Sequence, residues 1–356
     1  MKTKLTQLAL ASAAAVTLLG AGTGVAHAQQ EIKLTICSGQ APVFPFIRQI
    51  SQTLIPTVNA ELAKTGKTKI TWNEAYGGTL AKIGGELEAV EQGICDIGNV
   101  GTVFHAAKMP LQQVTFMAPF GPTDSRVVTK VMNEMNRSNP ALRAAWEKQN
   151  QVFLVGLAVD DYALMAKFPV TKYEDVAGKK IASSPVPLSW LKGTGATGVV
   201  SGLPSYYNDM KSGVFDGVLT FISAAVPIKL FEVGPYLTQT GMGATFPGGI
   251  SINKAVWDKV GPEVQAALRK AADAYAVAYE ADLQGRLQGA ENAYKAGGGK
   301  VAPLSEAEKV RWAKAIENPA KAWLAQGGQP ARDVLKAYMD AMRAEGVKFA
   351  REWDKE

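Results

Sequence analysis

Ser183 and Ser184 stand side by side where a short apolar run ends, and a serine hydroxyl becomes a nucleophile when a base takes its proton. The candidate base is His105, because His27 precedes the cleavage point of a leader and leaves with it. One histidine is compatible with a Ser-His-Asp triad, but it largely excludes a metal site built on several His or Cys ligands. No Gly-x-Ser-x-Gly elbow surrounds either serine. Asp160 and Asp161 precede Tyr162, and such a pair either faces a ligand or caps a turn. The glycines at 77–78 and 84–85 fit neither the dinucleotide spacing nor the P-loop, so a nucleotide loop is rejected. His105 itself follows an apolar strand and reads as a packing or helix-start residue. No cofactor and no metal are expected.

The elements that would hold these groups follow from periodicity. Residues 32–36 alternate as a first strand and 69–73 form a second. The stretch 83–91 reads as a helix stopped by Gly93, and 94–100 as a third strand. This order predicts a parallel sheet with right-handed crossovers. Cys37 falls at the end of the first strand and Cys95 at the start of the third, a separation too long for a disulfide, so two free thiols are expected. Residues 109–124, with three prolines, read as an irregular connection, and 126–149 as helix broken at Asn139-Pro140. A long strand over 152–159 crosses into a second lobe, followed by strands at 163–168 and 179–183. A helix from Pro204 to Gly213 leads to a strand through Phe221. A glycine- and threonine-rich extended run covers 236–252. From Pro262 one long helix runs to about Ala296, about 50 Å at 1.5 Å per residue, and two or three amphipathic helices close the chain.

At the N-terminus, Lys2 and Lys4 precede an apolar stretch over 8–19 and an Ala26-His27-Ala28 cleavage pattern, so residues 1–28 read as a signal peptide. The product is expected in the periplasm, without stable membrane insertion. The mature length suits two lobes rather than one core. The chain carries 38 Lys and Arg against 32 Asp and Glu, a surplus spread without clusters, and nucleic acid is not expected as a partner.

Several phrases carry a family resemblance. Asp175, Gly178, Lys180, Ile181, Gly213, Asp216 and Gly217 match the second-lobe motifs of the periplasmic solute-binding proteins of TRAP transporters, the DctP family. The phrase from Glu88 to Gly98 and the loop from Ala75 to Leu80 resemble its first-lobe motifs. The resemblance implies an α/β fold: a two-lobed periplasmic-binding-protein-like clamp of type II topology, with hinge strands and a long C-terminal spine helix. The expected lobes are 29–156 with 246–290, and 157–245 with 291–356. It also implies a receptor, not an enzyme, that closes on a small-molecule solute and delivers it to large and small TRAP membrane subunits. One position departs from the pattern. The family's ligand-binding arginine aligns with Ala182, which has no donor.

Ligand contacts are expected at strand ends facing the cleft. The first-lobe candidates are Gln40, Tyr76, Asn99 and Thr102; those of the second lobe are Asp160, Tyr162, Ser183, Ser184, Trp190, Leu203, Thr220 and Phe221. Leu203 falls where the family places an aromatic residue, and Thr220 near its Asn after Asp-Gly. Two solute classes stand open. An organic acid with an apolar or aromatic body would need another cation, such as Arg48 or Lys167, or neutral hydroxyl and backbone donors. A neutral or amine-bearing solute would face Asp160 or Asp161. An exported hydrolase using Ser183 or Ser184 is the alternative from another class.

Overall fold

The computed structural model describes residues 29–356; the signal-peptide reading lies outside them. Eleven strands among these residues sort into two sheets. The strands are β1 (Gln30–Cys37), β2 (Thr68–Ala75), β3 (Ile97–Val100), β4 (Gln151–Gly156), β5 (Tyr162–Ala166) and β6 (Lys180–Ser183). They continue with β7 (Thr197–Val200), β8 (Gly217–Phe221), β9 (Tyr236–Gln239), β10 (Gly249–Asn253) and β11 (Lys300–Pro303).

The first sheet has the order β2-β1-β3-β10-β4, with β1 parallel to both neighbours and β10 antiparallel to β3 and β4. The second has the order β11-β9-β5-β8-β6-β7. A late strand inserted antiparallel beside β4 is the two-lobed, type II arrangement that the resemblance implied. The long strand expected over 152–159 stops at Gly156, and the chain crosses between sheets as irregular backbone held by a bridge from Val159 to Thr245. Two strands were not expected, β7 and β11. Both lie at sheet edges and carry mostly exposed or half-buried residues, so their sequences lack the apolar run that marks a central strand.

The helices in the first half are α1 (Pro45–Gln49), α2 (Ile55–Ala63), α3 (Glu86–Glu91), α4 (Ser125–Ser138) and α5 (Pro140–Glu147). Ile50–Leu54 is a π-helical turn between α1 and α2, just before Pro56. The 109–124 connection is ordered rather than irregular: Pro110–Met117 is a 3-10 helix whose Gln112 and Gln113 amides are buried and bonded. Later helices are α6 (Leu203–Ser212), α7 (Ile222–Ala225), α8 (Lys254–Ala296), α9 (Glu306–Ala315) and α10 (Pro319–Ala344).

The long α8 is interrupted at Gly261, whose φ of 80° and ψ of 168° only glycine takes readily, so its continuous part begins at Pro262 as expected. Gly285 and Gly289 leave it unbroken. Val264, Leu268 and Tyr275 pack into the first-lobe core, while Ala290 and Tyr294 pack into the second. The Tyr294 hydroxyl donates to the carbonyl of Gly234. One helix therefore spans both lobes. The C-terminal α10 reaches back over Pro110–Met117, where Trp323 Nε1 donates to the Pro110 carbonyl at 2.7 Å.

Cys37 and Cys95 form a disulfide, with Cα atoms 6.1 Å apart, and the expectation of free thiols is wrong. The cause is stagger. The expectation took the third strand to begin at 94, level with the start of β1. In the sheet Ile36 pairs with Ile97 and Cys37 with Gly98, so β3 begins level with the end of β1 and Cys95 lies beside Cys37.

Candidate functional site

A cavity opens between the lobes, where the carboxyl ends of β1, β3, β6 and β8 converge. It holds about 100 Å³ of free space, against the roughly 10–15 Å³ a single water needs, which suits a compact solute. Gln40 after β1, Glu86 at the start of α3, Asn99 in β3 and Phe104 form the first-lobe side. Tyr162, Ser184, Leu203, Tyr206, Thr220 and Phe221 form the second-lobe side. Phe46, Tyr275 and Tyr279 complete the wall, and the segments 155–157 and 247–250 form its back.

The first-lobe side is held by short backbone bonds. Gly39 N donates to Glu86 Oε1 at 2.9 Å and Gly84 N to Oε2 at 2.8 Å. Gly77 N donates to the Gln40 carbonyl, tying the two loops together. Burial raises the Glu86 carboxyl above its ordinary range, and these backbone donors only partly offset that. At the back, Gly248 has a φ of 144°, and a Cβ there would lie 2.0 Å from the Val100 carbonyl oxygen. Only glycine lets the returning segment pass this close to β3.

The tyrosines divide into two kinds. Tyr275 donates its hydroxyl to the Phe46 carbonyl at 2.6 Å, and Tyr279 donates to the Ala158 carbonyl at 2.9 Å. With those hydroxyls committed to backbone, the two residues offer a solute aromatic surface. Tyr162 and Tyr206 instead keep their hydroxyls beside Ser184 and beside Ser183 and Ser184, respectively. Burial pushes Tyr162 up to about 12 and Tyr206 well above the ordinary phenol range, so both stay protonated donors. The start of α6 at Gly202 and Leu203 also borders the cavity and has no side-chain cap. Pro204 has no N–H and those of Ser205 and Tyr206 bond the Gly202 carbonyl, so the Leu203 N–H is what this helix end has left to offer.

Of the twelve residues named from the sequence, Gln40, Asn99, Tyr162, Ser184, Leu203, Thr220 and Phe221 line the cavity. Five do not. Tyr76 packs against the first-lobe core, and Thr102 donates to the Pro247 carbonyl at 3.0 Å. Asp160 accepts from Ser223 N and Oγ at the start of α7, the capping use of an aspartate. Its neighbour Asp161, outside the twelve but named with it as facing an amine, accepts from Gly243 N at 2.7 Å. Ser183 Oγ donates to the Leu219 carbonyl at 2.7 Å. Trp190 is fully buried, with Nε1 donating to the Phe116 carbonyl at 2.8 Å.

Sequence reasoning missed Phe46, Glu86, Tyr206, Tyr275 and Tyr279. Its candidates lay mostly at strand ends and in loops, whereas these sit on helices. The four-residue spacing of Tyr275 and Tyr279, which puts both on one helix face, is the signal that was there to use.

Ala182 is buried in the second-lobe core with Leu203 and Tyr206 as members of the same cluster. Neither proposed substitute cation reaches the cavity: Arg48 pairs with Asp282 on α8, and Lys167 is exposed beyond β5. Among the described residues, no lysine or arginine lines it. No histidine does either. His105 is buried beside Glu88, with Nδ1 3.8 Å from its carboxylate, and leaves Ser183 and Ser184 without a base.

The family model for bacterial extracellular solute-binding proteins, family 7 (DctP), matches residues 58–326. The chain belongs to that family. The family's role is solute binding rather than catalysis. The ectoine-binding periplasmic protein TeaA of Halomonas elongata is 26% identical over 190 residues, which cover 53% of this chain and 55% of that protein. The chain thus matches about half the length of this curated relative. The solved structure of the ectoine-binding protein from the Halomonas elongata TeaABC TRAP transporter superposes with a TM-score of 0.76 at 18% identity, covering 88% of this chain and all of that one. A marine metagenome TRAP solute-binding protein specific for aromatic acids, bound to 3-hydroxybenzoate, gives 0.77 at 19% identity over 89% and 99%. A Bordetella pertussis extracytoplasmic receptor binding pyroglutamic acid gives 0.75 at 19% over 86% and 99%. At these identities the likeness to DctP-family structures is one of fold. Among the described residues, no helix is long and apolar enough to cross a membrane.

Proposed function

We propose that this DctP-family chain is the extracytoplasmic receptor of a TRAP transporter, secreted to the periplasm by a signal peptide cleaved near Ala28. It captures a small organic acid with an apolar body and presents it to the large and small membrane subunits. The observation that carries this reading is the inter-lobe cavity, with an aromatic wall on one side and neutral hydroxyl donors on the other. Such a site can orient and desolvate a solute but has no nucleophile–base pair to transform it.

The proposed mechanism is hinge closure. Lobes 29–156 with 246–290, and 157–245 with 291–356, turn about the two crossing segments, and solute binding shifts the open–closed equilibrium. Tyr162, Tyr206, Ser184, Thr220 and the start of α6 receive the carboxylate where Ala182 cannot. Charge-assisted hydrogen bonds to several neutral donors take over the work of one guanidinium. Gln40, Asn99, Leu203 and Phe221 complete the contact set.

The absence of a lining cation favours the second reading, a neutral or amine-bearing solute. A thermal-shift panel on the processed chain, with acids, polyols and amines, tests both. A concentration-dependent rise with acids supports the first reading. A rise with polyols or amines alone moves the assignment to the second, and turnover of any hit sinks the receptor reading.

A further inference from the structure

The polar groups on the two sides of the cavity differ, a carboxylate and two amides facing a set of hydroxyls, and this bears on the charge of the solute. On the first-lobe side, beside the Asn99 amide, stand two acceptors in need of a donor or a cation. Glu86 is a carboxylate only 2% exposed, and the Gln40 amide oxygen is buried without a partner. On the second-lobe side the polar groups are neutral donors: the hydroxyls of Tyr162, Tyr206 and Ser184. Behind that lining lies the buried Asp160, close enough to raise both Tyr162 and Tyr279, and it has the same sign as Glu86.

A simple anion entering this space finds hydrogen bonds but no counter-charge, and closure leaves its charge buried near a second negative group. That arrangement is expensive in a desolvated site. A solute that carries its own cation avoids the cost. The same cation supplies the counter-charge that Glu86 lacks, since its oxygens meet only backbone N–H groups, those of Gly39 and Gly84. It also gives the Gln40 amide oxygen a partner, and the lining rings of Phe46 and Tyr275 attract it further.

Resting on the receptor reading above, we infer that the solute is a zwitterion: a carboxylic acid bearing an ammonium or quaternary nitrogen. Its carboxylate lies against the second-lobe hydroxyls and its cation lies toward Glu86 and Gln40. Burial raises Glu86, and a cation bound beside it would favour its charged form again. In this orientation each charged end contacts a different lobe, so only the closed form satisfies both.

The test is calorimetry and thermal shift on the processed chain with matched sets of solutes. The zwitterions are the common amino acids and betaines. The monoanions share their skeletons, such as cyclopentanecarboxylate for L-proline and 3-phenylpropionate for L-phenylalanine. The amines are pyrrolidine and phenethylamine. The expected result is a zwitterion as the tightest ligand, bound on the order of tenfold or more tighter than its deaminated partner. Gln40→Leu should erase most of that lead. Glu86→Gln should do the same while keeping an acceptor for the backbone N–H groups, and its circular dichroism and unliganded melting temperature report whether it folds. A monoanion that binds as tightly as its zwitterionic partner overturns the charge assignment and leaves the receptor reading standing. Silence from all three sets overturns both.

Discussion

Replacing Cys37 and Cys95 together by alanine tests how the first-lobe side of the cavity is held. The bridge spans 58 residues of sequence and is fully buried, with the two sulfurs' residues 0% and 1% exposed. Closing a loop of that length removes about 14 cal/mol/K from the unfolded chain, or about 4 kcal/mol at 25 °C. For a cooperative unit of this chain's size, that lowers the melting temperature by roughly 6 °C. If the first lobe unfolds separately, the fall is larger, because the same free energy acts on a smaller unfolding entropy. The loop also contains Gln40 and Glu86, so its opening should affect the site as well as the melt. Differential scanning calorimetry of the wild type, the wild type in excess reductant and the paired variant measures the first effect. Hydrogen exchange at 38–40 and 84–86 measures the second. The reduced wild type should converge on the variant, with faster exchange in both loops. A variant that melts within about 1 °C of the oxidised wild type, or a wild type that titrates two free thiols, would refute the reasoning.

Trp190→Ala should cost about 3–5 kcal/mol of stability, read by urea unfolding, because a fully buried indole and its bond to Phe116 are lost. A stable variant with weakened binding would instead put Trp190 in the site. Gly248→Ala should fail to accumulate as folded protein or lose at least about 2 kcal/mol, since its Cβ meets the Val100 carbonyl 2.0 Å away; normal yield and melting would show that the hinge backbone relaxes freely. Asp160 is raised to about 6, chiefly by burial, so the folded state holds its proton more tightly than the unfolded state. Its contribution to stability therefore falls as pH rises from about 4 to about 6. Asp160→Asn should gain on the wild type across that window, in urea titrations at pH 4, 5, 6 and 7, and parallel curves would count against it.

The parts of the fold legible in the sequence were those fixed by local chemistry. Gly213 ends α6, Pro262 starts the unbroken part of the spine and Asn139-Pro140 separates α4 from α5. The order of strands and helices then implied the sheets. What escaped depended on register between distant segments. The disulfide hinged on how far β3 is staggered along β1, and no local pattern encodes that offset. The edge strands β7 and β11 acquire strand geometry from a neighbour rather than from their own residues. The site was legible where strands end, giving Tyr162, Ser184, Thr220 and Phe221, and illegible where a helix from elsewhere closes the wall. Tyr275 sits some two hundred residues from Phe46, whose carbonyl it holds.

The placement of β10 has a consequence for how the protein is made. In the first sheet β3 and β4 do not touch; β10 lies between them and pairs with both. A chain synthesised from its N-terminus produces β4 about a hundred residues before the strand that joins it to the rest. Until residues 249–253 emerge, two apolar strand edges stay open, and the Val100 and Gly156 ends have nothing to close on. The first lobe cannot mature while the second is being made, so the nascent chain must be kept from pairing with other chains over that interval. A chaperone-dependent yield, sharpest for truncations that end just before Gly249, is the signature this topology leaves on biogenesis.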